Sequence, residues 1–223
     1  MSVVHRVLLV HHGVAVETRK AAFPATSGAW SSPECPPLDQ AGVAQARALA
    51  GRLPVADRCW SSLAARSVQT AELATGYAPE LEPDLAECDF GAWAGRSTEE
   101  LYATDPDGLA RWHADPDSAP HGGESLTAVR ARAARVLERC AALGGITVAV
   151  THGGLIKAAL LEVLGLGSGA VWRLEAAPGS VTELHLASTS SSWRVALLNW
   201  LPAPPGWSPP AQVAAEQSPP MSA

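Results

Sequence analysis

Two histidine–glycine turns lie far apart in the chain, and each follows a short apolar run that is typical of a buried strand. The first turn, His11-His12-Gly13, follows residues 7–10, and the second, Thr151-His152-Gly153-Gly154, follows residues 146–150. In an α/β sheet the carboxyl ends of parallel strands open onto one crevice, where ligands bind. A neutral imidazole nitrogen can act as a nucleophile or a base. The two turns therefore predict a single site that is built from both ends of the chain.

Two segments between these turns carry an arginine and an acid. Arg66 lies in the stretch Ser62-Leu63-Ala64-Ala65-Arg66, and Glu87 lies in Leu85-Ala86-Glu87-Cys88-Asp89. Phosphoryl transfer to an enzyme needs a nucleophile, cationic donors for the phosphate oxygens and a proton source for the leaving oxygen. Arginine provides a permanently charged planar fork, and a carboxylic acid donates a proton where its pKa is raised. The two histidine turns, the arginine and the acid are together suited to that chemistry.

The elements that must position these residues alternate between strands and helices. Asp39 is a candidate N-cap, and the Ser97–Glu100 stretch fits a capping box. The predicted strands cover residues 4–10, 57–61, 146–150, 180–187 and 193–200. The predicted helices run from residue 39 to about 53, over 63–75, from 97 to about 112, over 126–143 and over 154–164. This alternation predicts an α/β fold of three layers, with a mostly parallel sheet and helices on both faces.

Two stretches have no such pattern. Residues 14–37 contain several prolines and predict a long irregular loop, which in a compact domain is often functional. The tail from residue 201 is rich in proline and polar at its end, so we expect it to be disordered. The expected organisation is one domain over residues 1–200 and a proline-rich tail over 201–223.

Composition limits the partners. The net charge is −6 with no basic stripe, which argues against nucleic acid and anionic membranes. No apolar run is long enough to span a bilayer, and the N-terminus does not resemble a signal peptide, so we expect a cytoplasmic protein.

The four cysteines lie far apart with no CxxC pair, which predicts free thiols and disfavours a zinc site. The arginines of the 126–143 helix are expected to form a solvated face.

The motifs and their order resemble the histidine phosphatase (phosphoglycerate-mutase-like) superfamily. Besides the four segments above, the resemblance includes the stretch from Pro37 to Ala46, and Trp112 followed by Pro120-His121-Gly122-Gly123-Glu124-Ser125. It covers about residues 5–200 and is nearest to the alpha-ribazole phosphatase-like branch. It implies a phosphoglycerate-mutase-like fold and a phosphomonoesterase that needs no metal and no cofactor. A small-molecule phosphomonoester is the implied substrate, alpha-ribazole phosphate is one candidate, and a homodimer is an open alternative to a monomer.

The resemblance also implies roles for particular residues. His12 would be the nucleophile that forms a phosphohistidine, and Arg66 and His152 would bind the phosphoryl oxygens. Glu87 would protonate the leaving group and then activate water, although the nearby Asp89 could share that role. The substrate-binding residues would be His11, Gly13 and Gly153.

One departure from the family pattern stands beside the nucleophile. The superfamily signature is Arg-His-Gly, and this chain has His11 where the arginine belongs. We expect a weaker phosphate contact, because a histidine is charged only below a pH near 6.5. A protonated His11 would then support activity at mildly acidic pH. Three alternatives stay open: a phosphate-binding pseudoenzyme, a metal site built from the histidines and an acid, and a phosphoglycerate mutase. The altered loop after Gly13 disfavours the last.

Overall fold

The computed structural model describes residues 4–15, 23, 36–187 and 192–202. Within these residues one six-stranded sheet has the order β3-β2-β4-β1-β5-β6. The central strands β1 and β4 are those that precede the two histidine turns. The strands are β1 (Val4–His11), β2 (Arg58–Ser61), β3 (Glu80–Leu81), β4 (Ile146–Thr151), β5 (Val181–Ala187) and β6 (Arg194–Trp200).

The sheet is mostly parallel, as predicted. Strand β4 pairs in parallel with both β1 and β2, and β2 pairs in parallel with β3. Strand β5 runs antiparallel to both of its neighbours, β1 and β6. In the β1–β4 ladder His11 lies opposite Thr151. The two histidine turns therefore leave the sheet side by side at the same edge.

Six α-helices connect these strands within the described residues, and most of their limits match the predicted ones. Asp39 caps the first helix by accepting a hydrogen bond from the backbone N–H of Gly42, and the 126–143 helix has the predicted limits. The helices are α1 (Gln40–Leu49), α2 (Ala65–Thr75), α3 (Thr98–Thr104), α4 (Pro106–Ala114), α5 (Leu126–Leu143) and α6 (Gly153–Leu164).

The predicted helix from residue 97 to about 112 is in fact two helices. The capping box at Ser97 is present, but helix α3 ends at Thr104 and α4 begins at Pro106. A proline has no N–H to donate and disfavours the helical conformation of the residue before it. Asp105 accordingly has non-helical angles, φ −148° and ψ 55°, and its side chain caps α4. The capping box fixes only where the first helix begins, so it could not show where that helix ends.

Two hydrophobic cores cover the two faces of the sheet, so the predicted three-layer arrangement is confirmed. Along β1 the side chains alternate: Val7 and Leu9 join the larger core, which includes α5 and α6, whereas Leu8 and Val10 join the core under α1 and α2. This alternation is the two-residue period of a strand that is buried on both faces. The result is a rigid central strand that ends directly at His11 and His12.

Several expectations concern residues that the structure describes only in part. Most of the 14–37 loop and nearly all of the 201–223 tail lie outside the described residues. The described cysteines are buried free thiols, as predicted, and they are Cys59, Cys88 and Cys140. Among the described residues, no helix has the length and apolar character that a membrane span requires.

Candidate active site

His12 leaves the end of β1 with a fixed ring orientation. Its side chain is 5% exposed, and its backbone N–H donates to the carbonyl oxygen of Thr151 on the neighbouring strand, at 3.1 Å. Nδ1 lies 2.7 Å from the carbonyl oxygen of Gly13. A carbonyl oxygen can only accept, so Nδ1 carries the proton and Nε2 keeps a lone pair. The nitrogen that is available to a substrate is therefore the nucleophilic one.

Arg66 and His152 complete a compact group around that nitrogen. Arg66, in the first turn of α2, is 1% exposed and donates from Nε to Nε2 of His12 at 3.0 Å. Its Nη2 lies 3.4 Å from Nδ1 of His152, whose ring centroid is 4.9 Å from that of His12. Nε2 of His152 lies 2.8 Å from Oγ of Ser62. The structure thus brings these three predicted residues together, and the guanidinium can reach a group that is bonded to His12.

The electrostatics of this group favour neutral imidazoles beside one cation. Burial lowers the pKa of both His12 and His152 well below 6.5, and the charge of Arg66 lowers each pKa further. A neutral His12 is the form that can attack phosphorus. A buried guanidinium makes strong charge-assisted hydrogen bonds to phosphate oxygens, so a phosphate is a favourable ligand at this position.

Glu87 approaches the same region from the other side of α6. Its Oε2 accepts from the backbone N–H of Gly154 at 3.1 Å, and its Oε1 accepts from its neighbour Cys88 at 2.9 Å. Burial raises the pKa of Glu87 above its ordinary value. A carboxylic acid that keeps its proton to higher pH is suited to general acid catalysis. A Cβ on Gly154 would collide with Oε1 of Glu87, so this approach requires glycine.

Gly13 and Gly153, the two glycines predicted to bind substrate, also make close approaches. The backbone N–H of Gly13 donates to Oγ1 of Thr70 at 3.1 Å, and a Cβ at Gly13 would lie 2.5 Å from the carbonyl oxygen of Gly42. Gly153 is the first residue of α6, and a Cβ there would lie 3.2 Å from Cε1 of His11. Both glycines therefore allow the turns to pack tightly beside the histidines, and their predicted role in substrate binding stays a prediction.

His11 lies beside the nucleophile, but it does not behave as the missing arginine would. Its Nδ1 donates to the carbonyl oxygen of Ala176 at 2.7 Å, and its ring packs edge-on against His12 with 4.7 Å between centroids. Burial lowers the pKa of His11 to about 4, and the nearby charge of Arg66 acts in the same direction. The ring is therefore neutral above about pH 5. The expectation of a protonated His11 at mildly acidic pH is wrong for this arrangement.

Arg132 is a residue of the site that the sequence reasoning missed. We expected the arginines of the 126–143 helix to be solvated, but the Arg132 side chain is only 11% exposed. It donates to the backbone carbonyl oxygens of Asp84, Ala86 and Glu87, and it forms an ion pair with Glu124. The position of Arg132 carries a weak signal, since it lies three residues after Val129 and four before Val136, at the border of the apolar stripe of the helix.

Asp89, the alternative acid, takes part in the turn that follows Glu87. Its backbone N–H donates to Oε2 of Glu124 at 3.0 Å, and its Oδ1 accepts from the N–H of Gly91 at 2.9 Å. It thus stabilises the turn that follows Glu87. Among the described residues, no group of three or more histidine, cysteine, aspartate or glutamate side chains is arranged to hold a metal ion.

A cavity of about 290 Å³ opens beside these residues. His11, Glu87 and the start of α6 at Gly153 and Gly154 line it, and so does Lys157, one helical turn later. The rest of its lining is mainly apolar and aromatic. These residues are Phe23, Cys88, Phe90, Trp112, Leu126, Val129, Val171, Trp172 and Ala176.

Comparisons with known sequences point to one family. The histidine phosphatase superfamily (branch 1) matches residues 7–201. A bifunctional protein of Mycobacterium tuberculosis is 33% identical over 196 residues, which cover 83% of this chain and 52% of that protein. The chain thus spans about half the length of that relative. Phosphoserine phosphatase 1 of Hydrogenobacter thermophilus is 30% identical over 159 residues, 68% of this chain and 75% of the relative.

Solved structures of phosphatases have a fold similar to that of this chain. The native mycobacterial glucosyl-3-phosphoglycerate phosphatase has a TM-score of 0.75 at 25% identity, over 88% of this chain and 99% of that one. A putative alpha-ribazole-5'-P phosphatase of Escherichia coli has a TM-score of 0.74 at 22% identity, over 87% and 96%, and shows a shared fold. The histidine turns, Arg66 and Glu87 lie within the matched residues. The resemblance seen in the motifs is thereby confirmed, and the chain belongs to the histidine phosphatase superfamily, branch 1.

Proposed function

We propose that this protein is a phosphomonoesterase that works through a phosphohistidine at His12. The observation that carries the proposal is the bond from Nδ1 of His12 to the Gly13 carbonyl oxygen, which leaves the lone pair on Nε2. The Nε of Arg66 lies 3.0 Å from that nitrogen and can move its hydrogen bonds to the oxygens of a phosphoryl group. The membership of the superfamily and the phosphatases among the relatives support the same reading.

The chemistry balances in two steps. In the first, the Nε2 lone pair of His12 bonds to phosphorus, the bond from phosphorus to the leaving oxygen breaks, and Glu87 gives that oxygen its proton. In the second, water attacks phosphorus, the carboxylate of Glu87 takes its proton, and the P–N bond breaks. Arg66 and His152 hold the phosphoryl oxygens throughout. The products are an alcohol and inorganic phosphate, and no step requires a metal or a cofactor.

The substrate in this proposal is a small phosphorylated metabolite. Alpha-ribazole phosphate remains a candidate because the motifs are nearest to that branch and a putative phosphatase of that substrate shares the fold. Phosphoserine and glucosyl-3-phosphoglycerate are named for other relatives. These three esters therefore form the first panel of metabolites to test.

A phosphate-binding pseudoenzyme is the second candidate, and His11 favours it. This neutral side chain donates to Ala176 at the place where the family has a permanent positive charge. One missing charged contact to the transferred phosphoryl group can slow the reaction by roughly two to three decades. The pocket would then retain a phosphorylated ligand without turning it over.

Phosphate release and phosphoenzyme trapping distinguish the two candidates. Release from p-nitrophenyl phosphate and from the three metabolites is measured at pH 4.5–8.5 with a chelator present, for the native protein, His12→Ala and the control His185→Ala. His185 pairs with Glu183 near the opposite end of β1. An enzyme shows acid-labile phosphate on the native and control proteins but not on His12→Ala. If the folded native protein binds phosphate but neither labels nor releases product, the pseudoenzyme is correct.

A further inference from the structure

In the proposed reaction the leaving group extends into the cavity beside the histidines, because Glu87 helps to line that cavity. Glu87 and His11 border it at one end, together with Gly153 at the N-terminus of α6. Glu87 protonates the leaving oxygen in the proposed reaction, so the atoms bonded to that oxygen extend past Glu87 into this space. The composition of its walls therefore decides which esters bind well.

Those walls are apolar over most of their surface. Three residues of these walls are well buried: Trp112 is 6% exposed, Val129 is 1% exposed and Val171 is 5% exposed. Phe90 packs edge-on against Trp112 with 6.1 Å between ring centroids, so two aromatic rings meet at a steep angle in this wall. A charged leaving group would lose water here, and none of these four side chains carries a charge to offset that loss.

Among the described residues that line the cavity, one side chain is cationic, Lys157. It lies toward the end of the cavity that His11 and Gly153 border. It follows Gly153 by four residues on α6, so both lie on the same face of that helix. The charge of Lys157 acts on His11, which packs against the nucleophile. Lys157 is therefore placed to add positive charge near the phosphoryl group, where the family arginine is missing.

We propose that this cavity selects phosphomonoesters with an uncharged, apolar leaving group, about the size of a substituted aromatic ring or a six-carbon chain. This inference rests on the proposed phosphatase function. The volume of about 290 Å³ sets the size limit, and the aromatic and aliphatic walls set the polarity. Burial of each additional methylene is worth about 0.8 kcal/mol, or roughly a fourfold gain in kcat/KM.

A series of straight-chain esters tests this without changing the chemistry. Ethyl, butyl and hexyl phosphate have leaving alcohols of nearly equal basicity, so differences in kcat/KM report the fit of the chain. Phosphoserine serves as the charged comparison. We expect kcat/KM to rise about threefold to fourfold per methylene. We also expect hexyl phosphate to exceed phosphoserine by at least tenfold.

Two cavity variants and one control show whether the selectivity comes from this cavity. Val129→Phe fills it from α5, and Trp172→Ala removes an aromatic wall near the surface, where the side chain is 48% exposed. Each variant should lower the hexyl-to-ethyl ratio of kcat/KM by about fivefold or more. Tyr102→Ala removes an exposed ring that does not line the cavity and should leave the ratio unchanged. Because Trp172 is exposed at the surface, its variant remains informative if Val129→Phe does not fold.

The outcomes separate this inference from the function on which it rests. Release that depends on His12 but does not rise with chain length keeps the phosphatase and overturns the apolar selection. A preference for phosphoserine over hexyl phosphate likewise keeps the phosphatase and overturns the apolar selection. If Lys157→Met abolishes that preference, the cavity selects an anionic leaving group instead. If no ester is hydrolysed and His12→Ala matches the native protein, both proposals are wrong.

Discussion

Arg132 donates from Nη2 to the backbone carbonyl oxygen of Glu87 over 3.1 Å, and thus fixes the chain on which the candidate general acid stands. The same guanidinium holds the carbonyl oxygen of Ala86 at 2.8 Å and both carboxylate oxygens of Glu124 at 2.7–2.8 Å. Arginine suits this position because its fork of donors is rigid and always charged. Arg132 is therefore a positioning residue, since it acts on the substrate only through Glu87.

Replacing Arg132 should impair esters that need a proton on the leaving group. We expect Arg132→Met to lower kcat for an alkyl phosphate by about tenfold to hundredfold, the range of general acid catalysis. The loss should be smaller for p-nitrophenyl phosphate, whose leaving group departs without a proton. The charge of Arg132 lowers the pKa of Glu87, so its removal should also shift the alkaline limb of the pH–rate profile upward.

Arg135→Met is the matched control for Arg132→Met. Arg135 lies on the same helix and pairs with Asp84, but its side chain is 52% exposed and does not contact Glu87. We expect near-native rates on both substrates. Equal losses for alkyl and p-nitrophenyl phosphates in Arg132→Met would contradict the positioning role and indicate general disruption.

Gly154→Ala should displace the carboxylate of Glu87. The added Cβ would overlap Oε1, and the side chain can only move by giving up its bond from the Gly154 N–H. We expect a loss of about tenfold or more in kcat on alkyl phosphates, with little change in thermal unfolding temperature. Gly169→Ala is the control, since a Cβ there meets nothing within 4 Å. Native activity in Gly154→Ala would argue that Glu87 is not the acid.

His11→Arg should raise activity at neutral pH. His11 is neutral over pH 5–8 because its pKa is lowered to about 4, so the native site lacks this charge throughout that range. We expect kcat/KM at pH 7.5 to increase about tenfold or more, since an arginine supplies a charged contact to the phosphoryl group. His11→Gln, which adds no charge, should stay within a few-fold of the native protein. No gain in the arginine variant would show that this position serves another purpose.

The three histidines of the site should make the fold sensitive to acid. Their pKa values are lowered in the folded state, so the unfolded chain binds protons first as the pH falls below about 6.5. The stability that a neutral His11 contributes is complete above that pH and is lost as the pH falls to about 4. From pH 7 to 4, we expect the native protein to lose about 1–3 kcal/mol more unfolding free energy than His11→Gln. Urea unfolding at several pH values measures this, and a constant difference would contradict it.

The sequence predicts the parts of this molecule that depend on local patterns. Strands β1 and β4, each predicted one residue shorter than observed, the cap at Asp39 and the full length of α5 follow from apolar patterns and capping residues. The motifs likewise predict that His12, Arg66 and His152 come together. Pro106 is a local signal as well, since a proline disfavours the helical conformation of the residue before it, and it marks the break between α3 and α4.

What the sequence does not predict depends on contacts between distant segments. In the sequence Arg132 is one of several charged residues on a helix. Its role depends on the turn at residues 84–87, which packs against it only in the folded chain. The lowered pKa of His11 depends on its desolvation and on the charge of Arg66, and together these outweigh the carbonyl oxygen of Ala176, 165 positions away, which raises that pKa. Neither distance nor burial can be read from the residue types, so a histidine was expected to titrate near its ordinary pKa.

The pairing of β1 with β4 joins residues that are about 140 positions apart, since His11 lies opposite Thr151. Contacts between residues so far apart in the sequence slow folding, because the entropy of closing a long loop is lost before the strand pairing stabilises the chain. The nucleophile and its partner histidine thus meet only when the central ladder forms. In a refolding experiment, catalytic competence should return with the slowest global phase. Neither terminal half of the chain should bind phosphate at this site on its own.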